Sequence, residues 1–247
     1  MRELKLDIKK LKNLKMRDPS DNLVIKVNRL FNIPFRLLFF GKTGSGKSNT
    51  AIGMLLDENK GYSKVFKGER IFIFAPNPDA DTKISVLREH KDIPDGNVFD
   101  EFEMLEEVYD MLVEDFKDRI KDEEPIHPSL LIVDDFGGTG KLSKRFGSLA
   151  KVFMNSRKFQ ISIMVLGQTY TSISKNIRTQ ANGLFIWNTP AKELETIEKE
   201  NNFLDNKKEF FKMFRDTVGK DPHKFLIINY TNPSNELYLD TDFQPIE

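Results

Sequence analysis

The run Gly41-Lys42-Thr43-Gly44-Ser45-Gly46-Lys47-Ser48 is the first stretch of the chain with an evident chemistry. Glycine, four residues, then Gly-Lys and a hydroxyl residue is the spacing of a loop that cradles phosphates. Its glycines let the backbone turn so that successive N–H groups converge on phosphate oxygens. Lys47 is expected to reach the β- and γ-phosphates, and the Ser48 hydroxyl to ligate Mg²⁺. Asn49 leads into a helix whose positive end faces the same anion. By chance, a chain this long would contain the string roughly once in a hundred. An apolar run precedes it and a helical pattern follows, as the motif requires. The expected nucleotide contacts therefore run from Gly41 to Asn49, with ATP and Mg²⁺ as cofactors.

A second group is carried by Leu130-Leu131-Ile132-Val133-Asp134-Asp135, an apolar strand ending in two carboxylates. A buried strand that delivers an acid at its end suits the Mg²⁺-orienting carboxylate of a phosphate-loop enzyme, so Asp134 is expected at the metal. Asp135 then either polarises the attacking water or caps the next turn. Ile161 to Leu166, followed by Gly167 and Gln168, supplies a further strand ending in a polar amide. Gln168 is placed to contact the γ-phosphate or its water and report hydrolysis. Arg157 before that strand and Arg178 after it are both candidates for an arginine finger, which places positive charge on the phosphoryl group in flight. His90, His127 and His223 show no metal-ligand spacing and read as ordinary surface or core residues.

Five short apolar runs position these groups: Phe35–Phe40, Ile71–Ala75, Leu130–Val133, Ile161–Leu166 and Leu184–Trp187. They are nearly continuous rather than alternating, as strands buried on both faces of a parallel sheet must be. Helical patterns separate them: Ser48 to Glu58, then Phe102, Leu105, Tyr109, Leu112 and Phe116, then Phe146, Leu149, Phe153 and Arg157. Beyond Pro190, helices are expected over 191–201 and 206–218 and strands over Phe225–Asn229 and Glu236–Leu239. This alternation predicts an α/β fold with a central, mostly parallel sheet flanked by helices. One domain is expected over 1–247. It divides into residues 1–30, a basic arm or edge strand, a core over 31–190 that carries the motifs above, and a C-terminal part over 191–247, expected as helices and strands.

The 38 basic and 38 acidic residues cancel, but not locally. Residues 95–124 carry thirteen acids against Lys117, Arg119 and Lys121. From Phe136 to Ala191 there is no acid and there are eight Lys or Arg, among them Lys141, Lys144 and Arg145. Blocks of opposite sign suggest faces with different partners, one of them a polyanion. Absence of cysteine excludes disulfides, thiolate zinc sites and a cysteine nucleophile. Arg36 interrupts the longest apolar run, so no membrane partner is expected.

The phosphate loop, Leu131-Ile132-Val133-Asp134-Asp135, Asn155-Ser156-Arg157-Lys158, Ser162 to Gln168 and Ile177-Arg178 together resemble the genome-packaging ATPases of the FtsK–HerA superfamily, poxvirus type. The resemblance covers about residues 30–190. It implies a RecA-like fold of the additional-strand class, in which a further strand separates the phosphate-loop strand from the acid-bearing one. It also implies a homo-oligomeric ring, a pentamer or hexamer, that hydrolyses ATP to drive double-stranded DNA into a preformed capsid through capsid vertex proteins. By that likeness Asp134 and Asp135 are the metal and water-activating pair, Gln168 is the sensor and Arg157 the preferred finger. Lys158 stands where relatives commonly have His. The expected location is the infected host cytoplasm or viral factory, with association to the virion. Two alternatives stay open: a cellular or plasmid DNA pump or helicase of the same superfamily, and a DNA-independent nucleotide switch or assembly factor. The glycine-flexible basic loop over 137–145 either grips DNA or is simply exposed.

Overall fold

The structure, a computed structural model, describes residues 24–25, 30–58, 61–136, 140, 142 and 147–246. The expected arm or strand at the N-terminus (residues 1–20) and the basic residues Lys141, Lys144 and Arg145 lie outside the described residues. In chain order the strands are β1 (Arg36–Phe40), β2 (Ile71–Phe74), β3 (Val98–Phe99), β4 (Ser129–Asp134), β5 (Ile161–Gly167), β6 (Gly183–Trp187), β7 (Phe225–Asn229) and β8 (Tyr238–Leu239). The helices are α1 (Lys47–Leu56), α2 (Thr82–Lys91), α3 (Met104–Lys121), α4 (Ser148–Asn155), the single turn α5 (Lys175–Arg178), α6 (Ala191–Asn201) and α7 (Lys207–Val218).

All eight strands form one sheet in the order β3-β2-β4-β5-β1-β6-β7-β8. Pairing is parallel from β3 through β6, and β7 and β8 add antiparallel. β5 lies between β1 and β4, the arrangement that defines the additional-strand class.

Alternate residues of each strand enter opposite layers, because side chains on a strand have a period of two. Leu38, Phe40, Leu131, Val133, Ile163 and Val165 pack under α3, α4, α6 and α7. Leu37, Phe39, Leu130, Ile132, Met164 and Leu166 pack under α1, α2 and the Tyr62–Phe66 segment. With both faces covered, the central strands are apolar on both sides apart from Arg36, Ser129, Asp134 and Ser162, and that is why the runs stand out in the sequence.

Three expectations need correction. The strand expected over Glu236–Leu239 is only Tyr238–Leu239, since Pro233 opens a 3₁₀ turn over Ser234–Glu236. The helix expected to end at Arg157 stops at Asn155, and Arg157 lies in a 3₁₀ turn over Ser156–Phe159. That turn closes on Gln160, which has a left-handed φ of 56° and immediately precedes β5. Finally, α1 runs Lys47–Leu56 rather than Ser48–Glu58, because Asp57 turns extended.

Candidate active site

β1 delivers the chain at Phe40 into a loop tied to the neighbouring strand by Gly41 N–H donating to Gly167 O at 3.3 Å. A Cβ on Gly41 would lie 2.7 Å from Trp187 Cβ, so the backbone passes Trp187 more closely than any side chain allows. Gly44 and Gly46 have φ of 80° and 101°, left-handed values that glycine adopts at no steric cost. Gly46 caps α1 with no side-chain acceptor, which leaves the first N–H groups of the helix directed at the loop. Ser45 Oγ is buried without a hydrogen-bond partner. Lys47 is only 9% exposed, and its Nζ donates to the carbonyls of Gly41 at 2.8 Å and Lys42 at 3.1 Å. Burial lowers the Lys47 pKa against the pull of Asp134 and Asp135, and the charge of Lys83 adds to the lowering. The loop thus offers unused backbone donors, an orphaned hydroxyl and a cation with no carboxylate bonded to it, a donor set that fits an anionic phosphate chain.

At the end of β4, Asp134 Oδ2 accepts the Ser48 hydroxyl at 2.9 Å. Burial raises the Asp134 pKa, and the Ser48 bond and Lys47 charge oppose it only in part. Among the described residues no group of three or more His, Cys, Asp or Glu side chains could hold a metal ion. Ser48 and Asp134 nonetheless pair two oxygens. That suits Mg²⁺, which keeps several waters and binds through one or two protein oxygens plus substrate phosphates.

Asp135 turns out of the sheet with a φ of 57° and is exposed. Gln168 Nε2 donates to its Oδ1 at 3.1 Å. The register explains the meeting: Leu166 pairs with Asp134 and Gly167 with Phe40, so Gln168 emerges between loop and acids. Residues not anticipated from the sequence complete the surroundings. Asn77, Asp81 and Lys83 line a cleft of about 400 Å³ against Asp134 and Asp135. From the other side His223 Nδ1 comes within 3.4 Å of Ser45 O. The Asp81 signal was present as a helix N-cap, accepting Lys83 N–H at 2.8 Å.

The two arginines are held apart from this cluster. Arg157 is exposed at the N-terminal end of β5. Seven residues of strand separate it from the site, roughly 20 Å at about 3.3 Å per residue. Its charge adds to burial in lowering the pKa of Arg36, at the start of β1. Arg178 is engaged within the chain, with Nη2 2.7 Å from Glu200 Oε1 and a side chain 9% exposed. Lys151 pairs with Glu106 and Asp110 of the acidic helix α3 at 3.0 and 2.8 Å. The blocks of opposite charge therefore meet partly inside the chain. No helix among the described residues is long and apolar enough to cross a membrane.

A family model described as Poxvirus A32 protein matches residues 24–243. Similar solved structures include the genome packaging NTPase B204 of Sulfolobus turreted icosahedral virus 2 in complex with AMP. Its TM-score is 0.56 at 14% identity, over 86% of this chain and 98% of that one. B204 of Sulfolobus turreted icosahedral virus, described as a DNA-packaging ATPase, gives 0.56 at 15% identity, over 88% and 100%. ATPases 2 and 3 of EssC from Geobacillus thermodenitrificans give 0.58 at 14%, over 79% and 38%. At these identities the likeness establishes the fold. No curated protein sequence matches the chain significantly.

Proposed function

The chain belongs to the poxvirus A32 protein family, and from that premise we propose that it is an ATP-hydrolysing motor that drives double-stranded DNA into a viral capsid. One observation carries the reading: Ser48–Asp134 and Asp135–Gln168 meet at the ends of adjacent strands, beside a loop with unused phosphate donors. The viral B204 proteins of like fold, named as packaging enzymes, support it.

On this reading Lys47 leaves the Gly41 and Lys42 carbonyls for the β- and γ-phosphates of ATP, exchanging two neutral acceptors for charged ones. Ser48 and Asp134 hold Mg²⁺, which when bound neutralises phosphate charge. Asp135 accepts the proton of the attacking water, and the Gln168 amide on its Oδ1 fixes which carboxylate oxygen faces that water. Lys83, across the cleft, adds positive potential over the phosphates.

Arg157 faces away from its own nucleotide, at the opposite end of β5, so as a finger it serves a neighbouring copy in a ring. Exposed Lys158 and Lys175, together with the sequence positions Lys141, Lys144 and Arg145, offer a duplex the phosphate-directed charge that binding without sequence reading needs. The motor acts in the infected cell, at the site of capsid filling.

The test is steady-state ATP turnover with and without duplex DNA, with Lys47→Ala as control. Turnover that rises with duplex and vanishes in the control is expected. Turnover indifferent to DNA points to a nucleotide switch, and none at all overturns the ATPase reading.

A further inference from the structure

The turn that follows Gln168 is fastened to α6 at successive residues. Tyr170 OH donates to Glu200 Oε2 at 2.7 Å. Thr171 donates both its N–H, at 3.0 Å, and its hydroxyl, at 2.5 Å, to Glu193. Ser172 Oγ donates back to Thr169 O at 2.7 Å, closing the turn on itself. Both carboxylates come from α6, and Glu193 is the first acid after the acid-free stretch.

Arg178 locks the arrangement. Its Nε and Nη2 reach the two oxygens of Glu200 at 3.0 and 2.7 Å, a bidentate pair. Its Nη1 donates to Ile173 O at 2.5 Å, and its guanidinium carbon lies 4.5 Å from the centroid of the Tyr170 ring. Asn201 Nδ2 donates to Tyr170 OH at 3.1 Å from the other side. Burial raises the Glu200 carboxyl, but bonds from Arg178 and Tyr170 outweigh it and hold the group below the ordinary glutamate value. A partly buried ion pair adds little net stability compared with apolar packing, yet it fixes geometry. Here the geometry it fixes is that of the residues next to Gln168.

We propose that Glu200 and Arg178 are positioning residues for Gln168: they pin the Tyr170–Ser172 turn to α6 so that the Gln168 amide meets Asp135. This rests on the ATPase reading above, and it gives Arg178 a task within its own chain in place of a finger across a boundary. None of these side chains touches the phosphate loop, so the pair acts on turnover and not on nucleotide binding. An amide misplaced by about 1 Å costs on the order of 100-fold in rate.

The experiment compares wild type, Glu200→Gln and Tyr170→Phe in nucleotide affinity by calorimetry and in kcat for Mg·ATP. Tyr170→Phe removes one hydroxyl and keeps the ring, so it retains the fold should Glu200→Gln disturb it. The expected result is a fall in kcat of ~10- to 100-fold with nucleotide Kd unchanged. In addition, Arg178→Ala mixed with Lys47→Ala should show no recovery of turnover, because positioning acts within one chain. Unchanged kcat in the folded variants, with only a lowered Tm, overturns the inference and leaves a structural ion pair. Recovery on mixing also overturns it, in favour of a trans finger. A wild-type chain without turnover would instead overturn the ATPase reading on which the inference stands.

Discussion

Asp135→Asn separates chemistry from fold because almost everything else at the position is conserved by the change. Asp135 has a φ of 57°, a left-handed conformation that Asp and Asn both visit because their short side chains bond locally. An asparagine Oδ1 can accept the Gln168 amide as the carboxylate does at 3.1 Å. The residue is exposed, so stability should change by no more than ~0.5 kcal/mol. What disappears is the base. Loss of a positioned base typically costs ~10²- to 10⁴-fold in rate, which is about 2.7–5.4 kcal/mol on the barrier at about 1.36 kcal/mol per decade. Asp135→Glu makes the opposite compromise, since its longer reach comes with a left-handed conformation that costs ~1–2 kcal/mol. It should melt earlier while keeping part of its turnover. Calorimetric nucleotide affinity, thermal melts and single-turnover hydrolysis of the three proteins give the full comparison. If Asp135→Asn keeps more than about a tenth of wild-type kcat, Asp135 is not the base and caps its turn instead.

Asp134→Asn should raise Tm at neutral pH while weakening Mg²⁺-dependent nucleotide binding. Burial raises the folded pKa of Asp134, so its favourable contribution is present at low pH and lost as pH rises through that value. Melts at falling pH should therefore show the gain shrinking, and vanishing below the ordinary carboxyl value of 3.8. Arg157→Ala should bind ATP and hydrolyse it ~10³-fold more slowly or worse. Mixed with Lys47→Ala it should partly recover, since the Lys47→Ala subunit donates its Arg157; no recovery under proven subunit exchange rejects a trans finger. Replacing Lys141, Lys144 and Arg145 together by Ala should lower the logarithmic salt slope of duplex binding by up to ~3 and reduce DNA stimulation. An unchanged slope excludes these residues as the grip.

What could be read in the sequence, and what could not, follows from how far apart the cooperating groups lie. β1, β4 and β5 were legible because both their faces are buried, which makes nearly every position apolar instead of every second one. Their ends carry the phosphate loop, Asp134 and Gln168, so the centre of the site came with them. α2 was missed because only Ile84 and Leu87 of its ten residues are buried, too few to make a helical stripe. β3 has two residues and no run to detect. With α2 went Asp81 and Lys83, which line the cleft from its first turn. His223 meets Ser45 across 178 positions of sequence, and Arg178 meets Glu200 across 22. No local pattern announces either. Lys151, one of the eight bases of the acid-free stretch, pairs with Glu106 and Asp110 more than forty positions earlier, again beyond any local pattern.

The central claim is movement along duplex DNA, and displacement of a third strand from a DNA triplex measures it directly. Wild-type chain with Mg·ATP should release the third strand at a rate that scales with ATP turnover. It should release none with a non-hydrolysable analogue, with Lys47→Ala or with Asp135→Asn. Duplex-stimulated ATP hydrolysis with no displacement in wild type would contradict the account: the chain would then spend ATP on DNA without travelling along it.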